Sequence, residues 1–122
     1  MSTVIDASVL VAALVEIVAR GGLYAPELAF AEARNVLRRL ERGGQLTSAE
    51  GSVAYEELLE LDIQLFSFPP FAERAWELRH HVTCYDAWYV AIAEAMRLPL
   101  ATLDRRLTRA RGPTCAFLTP RG

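Results

Sequence analysis

Thr3-Val4-Ile5-Asp6-Ala7-Ser8-Val9-Leu10, or TVIDASVL (residues 3–10), decides how the rest of the chain is read. Thr3, Val4 and Ile5 have the branched side chains of a β-strand, and the apolar run from Val9 to Leu14 opens a helix. A carboxylate at that junction lies just outside the carboxyl end of a strand, where open α/β sheets place their ligands. Aspartate is also a favoured helix N-cap. This stretch alone therefore leaves Asp6 with two readings, cap or ligand-binding group.

The 122 residues suffice for one domain, 1–122, with a hydrophobic core that needs no staples. The composition, 52% hydrophobic and 23% charged, is that of a globular chain rather than a disordered one. No apolar run approaches the roughly 20 residues that span a bilayer, and no basic segment leads into a cleavable apolar core. The expectation is a cytoplasmic protein without a membrane partner. Cys84 and Cys115 form neither a CxxC nor a zinc spacing, so reduced, structural thiols are expected. His80 and His81 are adjacent, about 100° apart on a helix, and cannot share a ligand face. Their expected place is the solvated end of a helix.

A net charge of −2 argues against indiscriminate binding to nucleic acid. All 13 basic residues are arginine, and they gather as Arg34/Arg38/Arg39/Arg42 and Arg105/Arg106/Arg109/Arg111. Arginine grips phosphate through two parallel donors, as lysine cannot. A merely solvated face explains any single one of them equally well.

Along the chain, a strand over 2–6 leads into a helix over 8–20 that Gly21-Gly22 stops. Pro26 suits the first turn of a second helix, PELAFAEARNVLRRLERGG, which Gly43-Gly44 ends. Thr47 and Glu50 make a capping box for a third helix running to about Leu61. DIQLFSF reads as a short strand, and Pro69-Pro70 opens a fourth helix through about His80. Thr83 caps a fifth helix, TCYDAWYVAIAEAMR, apolar nearly all round and hence buried. LPLATLD is a buried strand, a short helix carries Arg105–Arg111, and CAFLTP is a last strand. This alternation predicts an α/β domain with a mostly parallel central sheet flanked by helices on both faces.

Four acids break the surface pattern of the other carboxylates. Glu32 sits in an apolar stripe with Ala29, Val36 and Leu37, where an unpaired carboxylate is costly. Asp86 opens the buried fifth helix, although an acid three residues after Thr83 also suits a capping box. Asp104 ends LPLATLD as Asp6 ends the first strand. In a parallel sheet the strand exits share one edge, so these carboxylates converge and raise one another's pKa. A hard divalent cation, Mg²⁺ or Mn²⁺, resolves that repulsion through oxygen ligands.

Four segments, VIDASVLVAAL, APELAFAEARNVLRR, TCYDAWYVAIAEA and LPLATLDRRLTRA, together resemble PIN-domain ribonuclease toxins of the VapC type. The likeness covers nearly the whole chain, with an acid in place in each segment. It implies that Asp6, Glu32, Asp86 and Asp104 bind Mg²⁺ or Mn²⁺ and position the water that cuts RNA. It further implies support from Ser8 in the DAS turn, Asn35 on the second helix and Thr102 in TLD. Arg34, Arg38, Arg105 and Arg106 are then the candidate RNA contacts, with Trp88 or Tyr24 as candidate stacking surfaces, although the core is the better reading of Trp88. The implied partners are a VapB-like antitoxin and a second copy of the chain, giving a homodimer and, with antitoxin, a heterotetramer or larger assembly. One departure is that only 25 residues separate Asp6 from Glu32, room for one helix where the family fits two.

Two other classes remain. Aspartate-based phosphotransfer domains need a second acid two residues after the first, where this chain has Ser8, or a lysine, of which it has none. A catalytically silent RNA- or protein-binding module on the same fold would be expected to have lost an acid and to bind no metal.

Overall fold

The structure, a computed structural model, describes residues 3–5 and 22–119. Asp6, Ser8 and the helix expected over 8–20 lie outside the described residues. The strands are β1 (Thr3–Ile5), β2 (Leu23–Pro26), β3 (Ile63–Phe66), β4 (Leu100–Ala101) and β5 (Phe117–Leu118). Numbered among the described residues, the helices are α1 (Ala29–Arg42), α2 (Ser48–Leu59), α3 (Ala72–Glu77), α4 (Cys84–Met96) and α5 (Arg105–Thr108). A single 3-10 turn, Pro69–Phe71, precedes α3.

All four strand pairings are parallel, and the sheet runs β3-β2-β1-β4-β5. Neighbouring residues on β4 show how both faces are covered. Leu100 packs into the cluster that holds Leu78, Val90 and Ile92 of α4 and its neighbours, whereas Ala101 joins Ala33, Leu37 and Leu58 of α1 and α2. Side chains that alternate across a strand thus feed two cores, one on each face. Seven consecutive residues of α4, Ala87 to Ala93, are buried, as an all-round apolar helix requires.

The second strand is a departure from the sequence reading. Leu23–Pro26 is not the lead-in to a helix but an interior strand, with Leu23 beside Thr3 on one side and Ile63 on the other. Pro26 is tolerated because it is the last residue of the strand, and Glu27 N–H donates to Phe66 O at 2.9 Å just beyond it. Helix α1 accordingly begins at Ala29.

Local signals hold elsewhere. The Thr47 hydroxyl accepts from Glu50 N–H at 3.1 Å and Glu50 returns to Thr47 N–H at 2.9 Å, closing the box at α2. Thr83 caps α4. Among the described residues, no helix is long and apolar enough to cross a membrane.

Candidate active site

The carboxyl ends of the parallel strands lie along one edge. Ile5 is in register with Ala101, so β4 delivers Thr102, the residue that follows it, to the edge beside the end of β1. Thr102 is fully buried, and its Oγ1 accepts from Asp104 N–H at 3.0 Å. The Asp104 carboxylate caps α5, accepting from Arg106 N–H at 2.9 Å and Leu107 N–H at 3.3 Å. Capping and ligand binding are thus not exclusive: one oxygen serves the helix while the carboxylate faces a cleft.

Asp86 reaches that cleft from α4. Its N–H donates to Thr83 Oγ1 at 3.2 Å, which fixes the first turn of the helix. Asp86 and Asp104 line one depression of about 280 Å³ together with His81, Thr83, Arg106 and Leu107.

Glu32 is half-buried on α1, and its Oε1 accepts a hydrogen bond from the Tyr89 hydroxyl at 2.9 Å. Tyr89 is buried on α4, three residues after Asp86. The helix that presents Asp86 to the cleft therefore also holds the carboxylate of Glu32. Sequence reasoning missed Tyr89. The signal was a phenol inside an otherwise apolar helix, where the hydroxyl needs a partner.

Among the described residues, no three His, Cys, Asp or Glu side chains form a group able to hold a metal. What the structure brings together is the pair Asp86 and Asp104, and Asp6 belongs to the undescribed segment. The donors are all carboxylate oxygens, which suits a hard divalent cation and not a soft one.

The remaining candidates scatter. Asn35 is exposed, and its Oδ1 accepts from Arg34 at 3.2 Å. Arg34 and Arg38 line a separate depression of about 400 Å³ with Leu37, Glu41 and Tyr55, between α1 and α2. Arg105 lines a third, of about 320 Å³, with Arg109 and Thr119. Of the four candidate arginines, only Arg106 lines the cleft of Asp86 and Asp104. Of the two candidate stacking surfaces, Trp88 belongs to the core and Tyr24 is half-buried. Trp88 is 5% exposed and packs edge-on against Phe68, and Tyr24 stacks on Phe66. His80 and His81 are exposed as expected, but His81 is a wall of the acidic cleft.

Away from the cleft, Arg74 grips Glu94 through Nε at 2.6 Å and Nη2 at 3.1 Å, and also donates to Gly112 O at 2.9 Å. Glu94 accepts from Thr114 N–H at 2.8 Å. Burial pushes the Glu94 carboxyl up, but the bonds from Arg74 and Thr114 outweigh it and leave the pKa below the ordinary carboxylate value. Cys84 and Cys115 are both free thiols, and burial, with the nearby Glu94 charge, pushes Cys115 up to about 11. A thiol so poised is inert at neutral pH.

Residues 3–113 match the family model of the PIN domain. Ribonuclease VapC1 of Mycobacterium tuberculosis is 39% identical over 123 residues, covering 92% of each chain. The crystal structure of PAE2754 from Pyrobaculum aerophilum superposes with a TM-score of 0.75 at 28% identity, over 98% of this chain and 89% of that one. VapBC2 from Rickettsia felis, solved bound to a DNA fragment from its promoter, shares the fold at a TM-score of 0.64 and 12% identity, over 98% of each chain. The chain belongs to the PIN-domain family, in its VapC branch.

Proposed function

We propose that this protein is a divalent-metal-dependent endoribonuclease, the toxin half of a toxin–antitoxin pair. The observation that carries the reading is the convergence of Asp86 and Asp104 in one cleft. Asp6, Glu32, Asp86 and Asp104 are the residues that would hold Mg²⁺ or Mn²⁺. Such an ion, when bound, stabilises charge on a phosphoryl group and makes a water more acidic.

The chain's own residues prepare that site. Thr102 fixes the backbone of Asp104, the start of α5 fixes its carboxylate, and Tyr89 orients Glu32. Carboxylates held by fixed donors need little reorganisation when charge develops near them. The naming of VapC1 as a ribonuclease, at 39% identity, supports RNA as the substrate.

An antitoxin partner follows from the same reading. VapBC2 was solved as a pair, and an unrestrained ribonuclease would harm its own cell. The depression between α1 and α2, lined by Arg34, Arg38 and Tyr55, offers a course for a tail that folds on binding. A homodimer, and a heterotetramer or larger with antitoxin, complete the proposed assembly in the cytoplasm.

The test is incubation of the purified protein with total RNA in Mn²⁺ and in EDTA, with and without the co-expressed antitoxin. Cleavage in Mn²⁺ that stops in chelator and in the complex is the expected result. RNA left intact in Mn²⁺ by a chain that is also harmless in cells would leave the silent-module reading.

A further inference from the structure

We propose that His81 is a substrate-binding residue, which with Arg106 grips the phosphodiester presented to Asp86 and Asp104. This rests on the ribonuclease reading above and names a residue that reading does not contain.

The cleft sets an electrostatic problem. Two carboxylates line it, and the substrate is a polyanion, so each approaching phosphate meets like charge there. A bound divalent cation would offset part of that repulsion, and cationic or N–H side chains on the same walls offset more of it. Among the described residues lining the cleft, only His81 and Arg106 carry such side chains. Arg106 follows Asp104 by two residues on α5, and His81 stands on the turn after α3, so the two reach the cleft from separate elements. A phosphate between them would be held from two directions, one donor a planar fork and the other a ring N–H. Neither protonation state of the imidazole removes that role, since a neutral ring keeps one N–H.

The position of His81 is set by its surroundings. Gly112 adopts φ +101°, and a Cβ built there would come within 3.3 Å of His81 Cδ2 and 2.9 Å of Leu78 Cδ2. The loop closes against the imidazole because glycine has no side chain there. Gly112 is in turn pinned through its carbonyl to Arg74, itself locked to Glu94. His81 N–H donates to Leu78 O at 3.0 Å, so the ring's backbone is tied as well. The side chain is thereby backed by a fixed loop on one side and opens to the acidic cleft on the other.

Steady-state cleavage of a single-stranded RNA in Mn²⁺, with anisotropy of the same labelled RNA in EDTA, tests the assignment. His81→Phe keeps an aromatic ring against Gly112 and removes the N–H donors, and His81→Arg restores them. For His81→Phe a KM raised about tenfold with little change in kcat is expected, the size of one lost charge-assisted hydrogen bond. RNA affinity in EDTA should fall in parallel, and His81→Arg should recover both. A His81→Phe variant with wild-type KM and affinity overturns the proposal while the ribonuclease reading stands. So does a loss confined to kcat, or a loss that His81→Arg fails to recover in a folded protein. Absence of cleavage by the wild-type protein overturns both.

Discussion

The Tyr89 hydroxyl donates to Glu32 Oε1 at 2.9 Å across 57 residues of sequence, joining α4 to α1. Tyr89→Phe removes this bond and keeps the packing of the ring. The folded state should lose about 1 kcal/mol. RNA cleavage should fall roughly tenfold, the usual cost of freeing a ligand from its orienting partner. Thermal melts and cleavage rates on one preparation check both numbers. An unchanged rate would show that the orientation of Glu32 does not limit the chemistry.

Asp104→Asn separates the two duties of Asp104. Asparagine caps helices as well as aspartate does, so the bonds to Arg106 and Leu107 survive and the melting temperature should hold. Cleavage should drop about a hundredfold or more, because an amide oxygen lacks the charge that a hard cation and the reaction require. Asp86→Asn should match it. A variant that melts early and cleaves normally would reverse the assignment and make Asp104 only a cap.

Asp104 stood out in the sequence because it closes LPLATLD, but β4 ends at Ala101 and Asp104 caps α5 three residues on. The buried helix that follows Thr83 was plain from its lack of any polar face. Leu23–Pro26 was not legible. Four residues carry too little alternation to signal a strand, and Pro26 reads equally well as the first residue of a helix. Its strand identity comes from β1 and β3, which pair with it on both sides. The roles of Tyr89 and His81 were hidden for the same reason, since each depends on a contact made in three dimensions. The core position of Trp88 was legible, since it falls within that all-round apolar helix.

Arg97 ends α4 in the left-handed conformation at φ 55°, the single non-glycine residue with positive φ among those described. An L-residue pays for that with a clash between Cβ and backbone, and glycine does not. Arg97 is exposed, so its side chain does little that glycine would forfeit. Arg97→Gly should stabilise the protein by about 0.5–1 kcal/mol, read as a higher midpoint in urea with an unchanged slope. A lower midpoint would mean that the arginine makes an interaction worth more than the strain.

The Arg74–Glu94 pair predicts an acid dependence of stability. The folded pKa of Glu94 lies below its ordinary value, so its contribution is complete above that value and is lost as pH falls through the folded pKa. Glu94→Gln should therefore be less stable than wild type by about 2 kcal/mol at pH 7, where Arg74 loses the charge of its bidentate partner and keeps only Glu77 and the Gly112 carbonyl. The gap should narrow below about pH 4, as the wild-type carboxyl takes up its proton. Melting curves of the two proteins between pH 7 and 3 provide the measurement. A gap independent of pH would assign the loss to hydrogen-bond geometry rather than to charge.

Glu32 offers the sharpest separation of folding from metal binding. Its carboxylate stands half-buried on α1, where desolvation disfavours the charge, and the family's other acids add repulsion when no cation is present. Glu32→Gln removes that charge while its amide oxygen still accepts from Tyr89, so the known hydrogen bond is kept. In EDTA the variant should melt at or above the wild-type temperature. Added Mn²⁺ should raise the wild-type melting temperature, because a ligand that binds only the folded state stabilises it by mass action. The same addition should move Glu32→Gln much less. A variant that melts well below wild type in EDTA would make Glu32 a structural hub whose charge the fold itself requires, and equal Mn²⁺ shifts in the two proteins would remove it from the ligand set.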